Sequence, residues 1–174
     1  MSVAVTYTSR EEIEVHKFSW LVSVGVPLAA VFIQVFFPVR VKFLMVFDLP
    51  LLVTIYFAVA RRKPIAGLIT GALVGTLQDA FGHHYIGLNG IAKTIIGFLA
   101  SSLGVKIDVE NPGSRFLMTI GFYLLHQVIL AGISVALVGV RQPWMWGHTL
   151  ITALANGLLA VVLFVALDRL RVRG

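Results

Sequence analysis

Cysteine is absent from the 174 residues, which excludes disulfide staples, thiolate metal sites and cysteine nucleophiles. Charge is scarce as well: Asp, Glu, Lys and Arg make up 13% of the chain, against 58% hydrophobic residues and a mean hydropathy of +0.92. A water-soluble domain of this size needs far more polar surface to coat it, so the solvent for most of the chain is lipid. Acidic residues are the scarcest charges, 8 against 14 Lys and Arg, giving a formal charge of +6 and a pI near 10.1. In a soluble protein that balance would point to nucleic acid. In a chain this apolar it reads instead as basic loops that hold membrane helices in orientation, and no nucleic-acid partner is expected. No His-Glu-x-x-His or similar ligand spacing occurs, and Ser101, Ser102 and Ser134 have no Gly-x-Ser-x-Gly context. Neither a metal, a cofactor nor a hydrolytic centre is therefore expected.

What is present is apolar sequence in runs long enough to cross a bilayer. Six stretches of about 20 residues consume roughly 120 positions and leave about 54 for loops and tails, too few for an extramembrane catalytic domain. The predicted fold is all-α: one integral membrane domain over residues 1–174, a six-helix transmembrane bundle with spans at about 18–39, 43–60, 64–81, 86–105, 115–140 and 147–168. Ser9 followed by Glu12 can satisfy backbone amides at a helix start, which predicts a short amphipathic beginning at 9–17 with Ile13, Val15, Phe18 and Trp20 at the membrane surface. No small-residue cleavage site follows it, so a cleaved signal peptide is not expected. With the N-terminus in the cytoplasm, Arg10, Lys17, Arg61, Arg62, Lys63, Lys106, Arg115, Arg169, Arg171 and Arg173 fall inside, against Arg40, Lys42 and Arg141 outside. That bias predicts both termini in the cytoplasm and six crossings. Trp144 and Trp146 then lie at the outer interface and Trp20 at the inner one, where an amphipathic indole belongs.

The third span carries Gly67, Gly71, Gly75 and Asp79 at strict four-residue spacing, a glycine stripe ending in a carboxylate. Another backbone can come close there, from within the bundle as a packing seam or from a partner's helix. Asp48, Asp79 and Lys93 fall at similar depth, and an ion in hydrocarbon must pair, face water or snorkel. Lys93 is therefore predicted to approach Asp79 or Asp48, with Asn89 one turn earlier on the same face supplying further hydrogen bonds. Such a cluster can lock helices two, three and four together or relay an ion, although one lysine and two carboxylates make no path across a bilayer. Gly87 and Asn89 suit a turn and the start of the next helix. Adjacent His83 and His84 point different ways and read as a solvated outer loop. His126, Gln127, Gln34 and Asn156 read as interhelical hydrogen-bonding groups, with a ligand cavity as the other possibility. Pro27 and Pro50 fall within spans, where each is predicted to kink or interrupt its helix. The basic run Arg169, Arg171 and Arg173 is expected to meet anionic headgroups, with a cytoplasmic filament as a further contact.

The ordered set Asp48-Leu49-Pro50-Leu51-Leu52, Tyr56, the basic turn Arg61-Arg62-Lys63-Pro64, the stripe Gly67, Gly71, Gly75 and Asp79, and Gly87-Leu88-Asn89 resembles the MreD family of rod shape-determining membrane proteins. The detailed resemblance covers about residues 48–104; beyond it lie length and six-span layout. Gln78 before Asp79 and the enlarged outer turn at His83-His84 depart from the family's pattern. The resemblance implies a non-enzymatic scaffold of the bacterial elongation machinery in the inner membrane. It would bind the single-span protein MreC and, through it, MreB, RodA and a class B penicillin-binding protein in support of lateral peptidoglycan synthesis. It also implies a fold similar to the substrate-binding S components of energy-coupling factor vitamin transporters, and such an S component is the alternative reading. Their first-helix Ala-x3-Ala motif is not intact here, since Ala29 is followed four positions later by Ile33.

Overall fold

The computed structural model describes residues 18–37, 40–82, 85–104, 111–139 and 145–171. Within them the chain is helical: α1 (Trp20–Phe36), a short 3-10 helix (Lys42–Val46), α2 (Leu49–Arg61), α3 (Pro64–Phe81), α4 (Leu88–Leu103), α5 (Pro112–Ile133, continuing as a π-helical turn over Ser134–Val138) and α6 (Trp146–Asp168). A single antiparallel bridge joins Phe18 to Arg171. The predicted amphipathic start at 9–17 and residues Arg10, Lys17, His83, His84, Lys106, Arg141, Trp144 and Arg173 lie outside the described residues.

Among the described residues three helices are long and apolar enough to cross a membrane: Pro64–Phe81, Pro112–Val138 and Trp146–Asp168. The other three, α1, α2 and α4, are apolar but shorter, at 17, 13 and 16 residues. The stretch expected as one span over 43–60 is in fact divided. Asp48 accepts a hydrogen bond from the Leu51 amide and caps α2, so the residues before it wind as the separate 3-10 helix. Pro50 accordingly neither kinks nor interrupts a helix, contrary to the expectation. It sits in the first turn of α2, where its missing N–H is one the helix could not have used. Pro27 does lie inside α1, which runs on through it.

Hydrophobic residues occur all round α2, and every residue from Pro50 to Ala60 is buried. The helix is the axis of the bundle and touches each of the other five. Leu51, Leu52, Ile55, Phe57 and Val59 supply the centre of the core, with Ile96 and Ala100 of α4, Phe122 of α5 and Phe164 of α6 packed around them. At its far end Arg62 takes a left-handed conformation (φ 52°), and Pro64 opens α3 immediately. A tight basic turn thus reverses the chain.

Candidate functional site

The closest packing in the molecule is between α3 and α4, and glycines make it possible. A Cβ added at Gly67 would overlap Ser101 Oγ and the Gly97 carbonyl, one at Gly71 the Lys93 carbonyl, and one at Gly75 the Asn89 carbonyl. The reverse holds for Gly97, whose added Cβ would meet the Gly67 carbonyl. Of the two uses open to the stripe, the structure therefore shows the internal one. Gly67, Gly71 and Gly75 are covered by α4, and this packing leaves them no room for a partner's helix.

At one end of this seam the polar residues converge. Asp79, in the last turn of α3, is fully buried and aims its carboxylate at the start of α4. Oδ2 accepts from the amides of Gly87, Asn89 and Gly90 at 2.9, 3.0 and 3.2 Å, and Oδ1 accepts from Asn89 Nδ2 at 2.8 Å. A carboxylate from the preceding helix thus does the work of an N-cap, satisfying amides that an α-helix leaves without partners. It can do so because Gly87, at φ +103°, turns the chain tightly into α4. Few other residues tolerate that conformation.

Asn89 then hands the network on. Its Oδ1 accepts from Lys93 Nζ at 3.1 Å, and the same ammonium donates to Asp48 Oδ2 at 2.9 Å and lies 3.4 Å from His126 Nε2. Lys93 has no exposed surface, and its three protons match those three acceptors. Since an ammonium can only donate, His126 presents Nε2 as an acceptor and carries its own proton on Nδ1. Asp48 is held from two further sides: its Oδ1 caps α2 through the Leu51 amide at 3.0 Å, and its own amide donates to Asn156 Oδ1 at 2.9 Å. Asn156 Nδ2 in turn donates to the carbonyls of Val46 and Thr152, while Gln34 Oε1 accepts from the Leu49 amide at 3.1 Å. One connected set of hydrogen bonds therefore joins the start of α2 (Asp48) to α3 (Asp79), α4 (Asn89, Lys93), α5 (His126) and α6 (Asn156), and Gln34 of α1 holds the residue next to Asp48. Between the two carboxylates that the sequence offered, Lys93 meets Asp48 directly and Asp79 only through Asn89.

A second ionic cluster sits at the opposite end and was not anticipated. Asp168, at the end of α6, accepts from Arg115 of α5 at 2.6 Å, from Arg171 at 2.6 Å and from the Tyr56 hydroxyl at 2.9 Å. Arg115 is buried, although in the sequence it reads as a loop cation. Arg171, expected to face lipid headgroups, is also paired with the carboxylate three residues before it. The signal that could have found this cluster is Asp168 itself, an acid alone in a run of arginines. Among the described residues no group of three or more His, Asp or Glu side chains is placed to hold a metal ion.

The family model described as rod shape-determining protein MreD matches residues 15–171. No curated protein and no solved structure matches the chain.

Proposed function

The chain belongs to the MreD family of rod shape-determining proteins, and from that premise we propose that it is a membrane scaffold of the bacterial elongation machinery. In this reading it is one domain that crosses the inner membrane six times with both termini in the cytoplasm, in a fold like that of energy-coupling factor S components. It binds MreC and, through it, links MreB to RodA and a class B penicillin-binding protein. The observation that supports a scaffold over a catalyst is the use to which the polar side chains are put. Lys93, Asp48, Asp79, Asn89 and Asn156 bind one another and the ends of helices, so their chemistry is spent on holding α2, α3, α4 and α6 in fixed register. With the glycine stripe occupied by α4, MreC has to use other faces of the bundle or its ends.

Affinity purification from native membranes in mild detergent, followed by mass spectrometry, tests the proposal. A single-span protein with a periplasmic coiled-coil region, together with peptidoglycan synthases, is the expected result. A second multispan subunit with paired cytoplasmic ATPases would overturn it and favour a vitamin-uptake S component.

A further inference from the structure

The two ends of the bundle differ in kind. At the end that carries Asp168, the described residues include the exposed or half-exposed cations Arg61, Arg62, Lys63, Arg169 and Arg171. At the other end Arg40 is exposed, and the connecting segments also expose apolar side chains. Phe43 and Met45 of the 3-10 helix are 68% and 66% exposed, Ile86 before α4 is 75% exposed, and Met145 before α6 is 66% exposed. Phe43 and Met45 lie past the end of α1 and Ile86 before the start of α4, alongside the longer α6, whose Asn156 donates to the Val46 carbonyl, so they continue the apolar surface of the two short helices. The carboxylates and the lysine of that end, Asp48, Asp79 and Lys93, are meanwhile drawn into the internal network.

Helix length supplies an independent reason for such a surface. At 1.5 Å per residue, the 17 residues of α1 and the 16 of α4 span only about 25 and 24 Å, short of a hydrocarbon core about 30 Å thick. Phe43, Met45 and Ile86, in the segments that follow α1 and precede α4, add the missing length at this end, whereas most of the exposed cations gather at the opposite one.

We propose that this apolar end of the bundle is submerged in the outer leaflet, with Phe43, Met45, Ile86 and Met145 seated against lipid at the boundary of headgroups and acyl chains. The proposal rests on the six-crossing reading given above. The occupant is lipid rather than a protein partner because the surface continues the lipid-facing sides of α1 and α4 and makes up their deficit in length. It follows that the Asp48–Lys93 pair lies within the membrane's depth and not at its edge, which is why every proton of Lys93 has an acceptor.

The absence of cysteine makes the test direct. Phe43→Cys, Met45→Cys and Ile86→Cys would each be nitroxide-labelled in the full chain and reconstituted into vesicles of phosphatidylethanolamine and phosphatidylglycerol. Leu73→Cys and Leu158→Cys serve as mid-helix references, and Lys63→Cys as a reference at the charged end. Power saturation then compares collision with oxygen, which concentrates in lipid, with collision by a nickel chelate, which stays in water. The expected result is that labels at 43, 45 and 86 respond several-fold more to oxygen than to nickel, as at 73 and 158, while 63 does the reverse. Labels at 43, 45 and 86 that follow nickel, with 73 and 158 still following oxygen, would overturn the submerged end and leave the six crossings standing. If 73 and 158 also follow nickel in variants that elute as the parent protein does, the crossing reading falls and this inference with it.

Discussion

Replacing Lys93 by Met tests whether the buried network is a set of coupled charges or a collection of separate contacts. The substitution preserves side-chain volume and removes the ammonium, leaving the Asp48 carboxylate with the Leu51 amide as its charge-compensating contact in the core. Breaking a buried pair by deleting one partner costs about 3–5 kcal/mol, because the remaining charge stays desolvated. Asp48→Asn removes the opposite charge but keeps an oxygen able to cap α2, so it isolates the electrostatic loss from the capping loss of about 1 kcal/mol. The ammonium would then retain only Asn89 and His126, neither of them charged, and a cost of similar size, about 3 kcal/mol or more, is expected. In the double variant no uncompensated charge remains, and the residual cost is that of a few hydrogen bonds, each about 0.6 kcal/mol on average between membrane helices. The two losses together should therefore exceed that of the double variant by about 4 kcal/mol or more, at or above the top of the range usual for neighbouring residues. The assay is reversible unfolding in mixed micelles of all four proteins. Additivity to within about 0.5 kcal/mol would refute the reasoning, since independent sites behave in that way.

Other perturbations follow from the packing. Gly71→Ala should destabilise by about 1–3 kcal/mol, and Gly71→Leu should abolish recovery of folded protein, because even a Cβ overlaps the Lys93 carbonyl. Gly121→Ala, on a helix face where an added Cβ meets nothing within 4 Å, should be neutral or stabilising by up to about 1 kcal/mol; equal losses at Gly71 and Gly121 in thermal unfolding would show that the seam is not close-packed. Asp79→Ala should cost about 2 kcal/mol or more, since it strips the start of α4 of its carboxylate, and hydrogen exchange at Asn89 and Gly90 should accelerate in the same variant. Tyr56→Phe removes one hydrogen bond to Asp168 and should cost about 1 kcal/mol, less than Asp168→Asn, which also leaves the buried Arg115 without its carboxylate.

Much of the helical layout was legible because local signals mark it. Pro64 in the first turn and Gly82 after the last bound α3, and the continuous apolar run from Leu49 marks α2 as a helix with no solvent face. The division of the expected 43–60 span was not read, although Asp48-Leu49-Pro50 is a capping residue followed by a first-turn proline. Hydropathy averaged over a window outweighed a two-residue stop signal. Periodicity placed Gly67, Gly71 and Gly75 on one stripe but could not say what covers it. The complementary glycines Gly90 and Gly97, seven apart on the next helix, were the clue that α4 does. Which carboxylate meets Lys93 was also undecidable from depth alone, and it is settled by the hairpin. Asp79 is spent on the amides that the turn at Gly87 brings to it, and Asp48 is left for the lysine. The Arg115–Asp168 pair escaped notice because its members are 53 residues apart and each has nearer neighbours of ordinary loop character.

A buried ion pair is a poor source of stability, since apolar residues of the same volume often do as well or better. The glycine seam suggests what the polar network contributes instead. A stripe that repeats every four residues has nearly equivalent partners one helical turn away, and in lipid no hydrophobic penalty opposes such a slip. Sliding α4 by one turn along α3 would keep glycine facing backbone at two of the three positions. It would also carry the amides of Asn89 and Gly90 out of reach of Asp79, and Lys93 out of reach of Asp48, stranding charges in a medium that does not solvate them. Packing makes the α3–α4 approach close and the polar network makes its register unique.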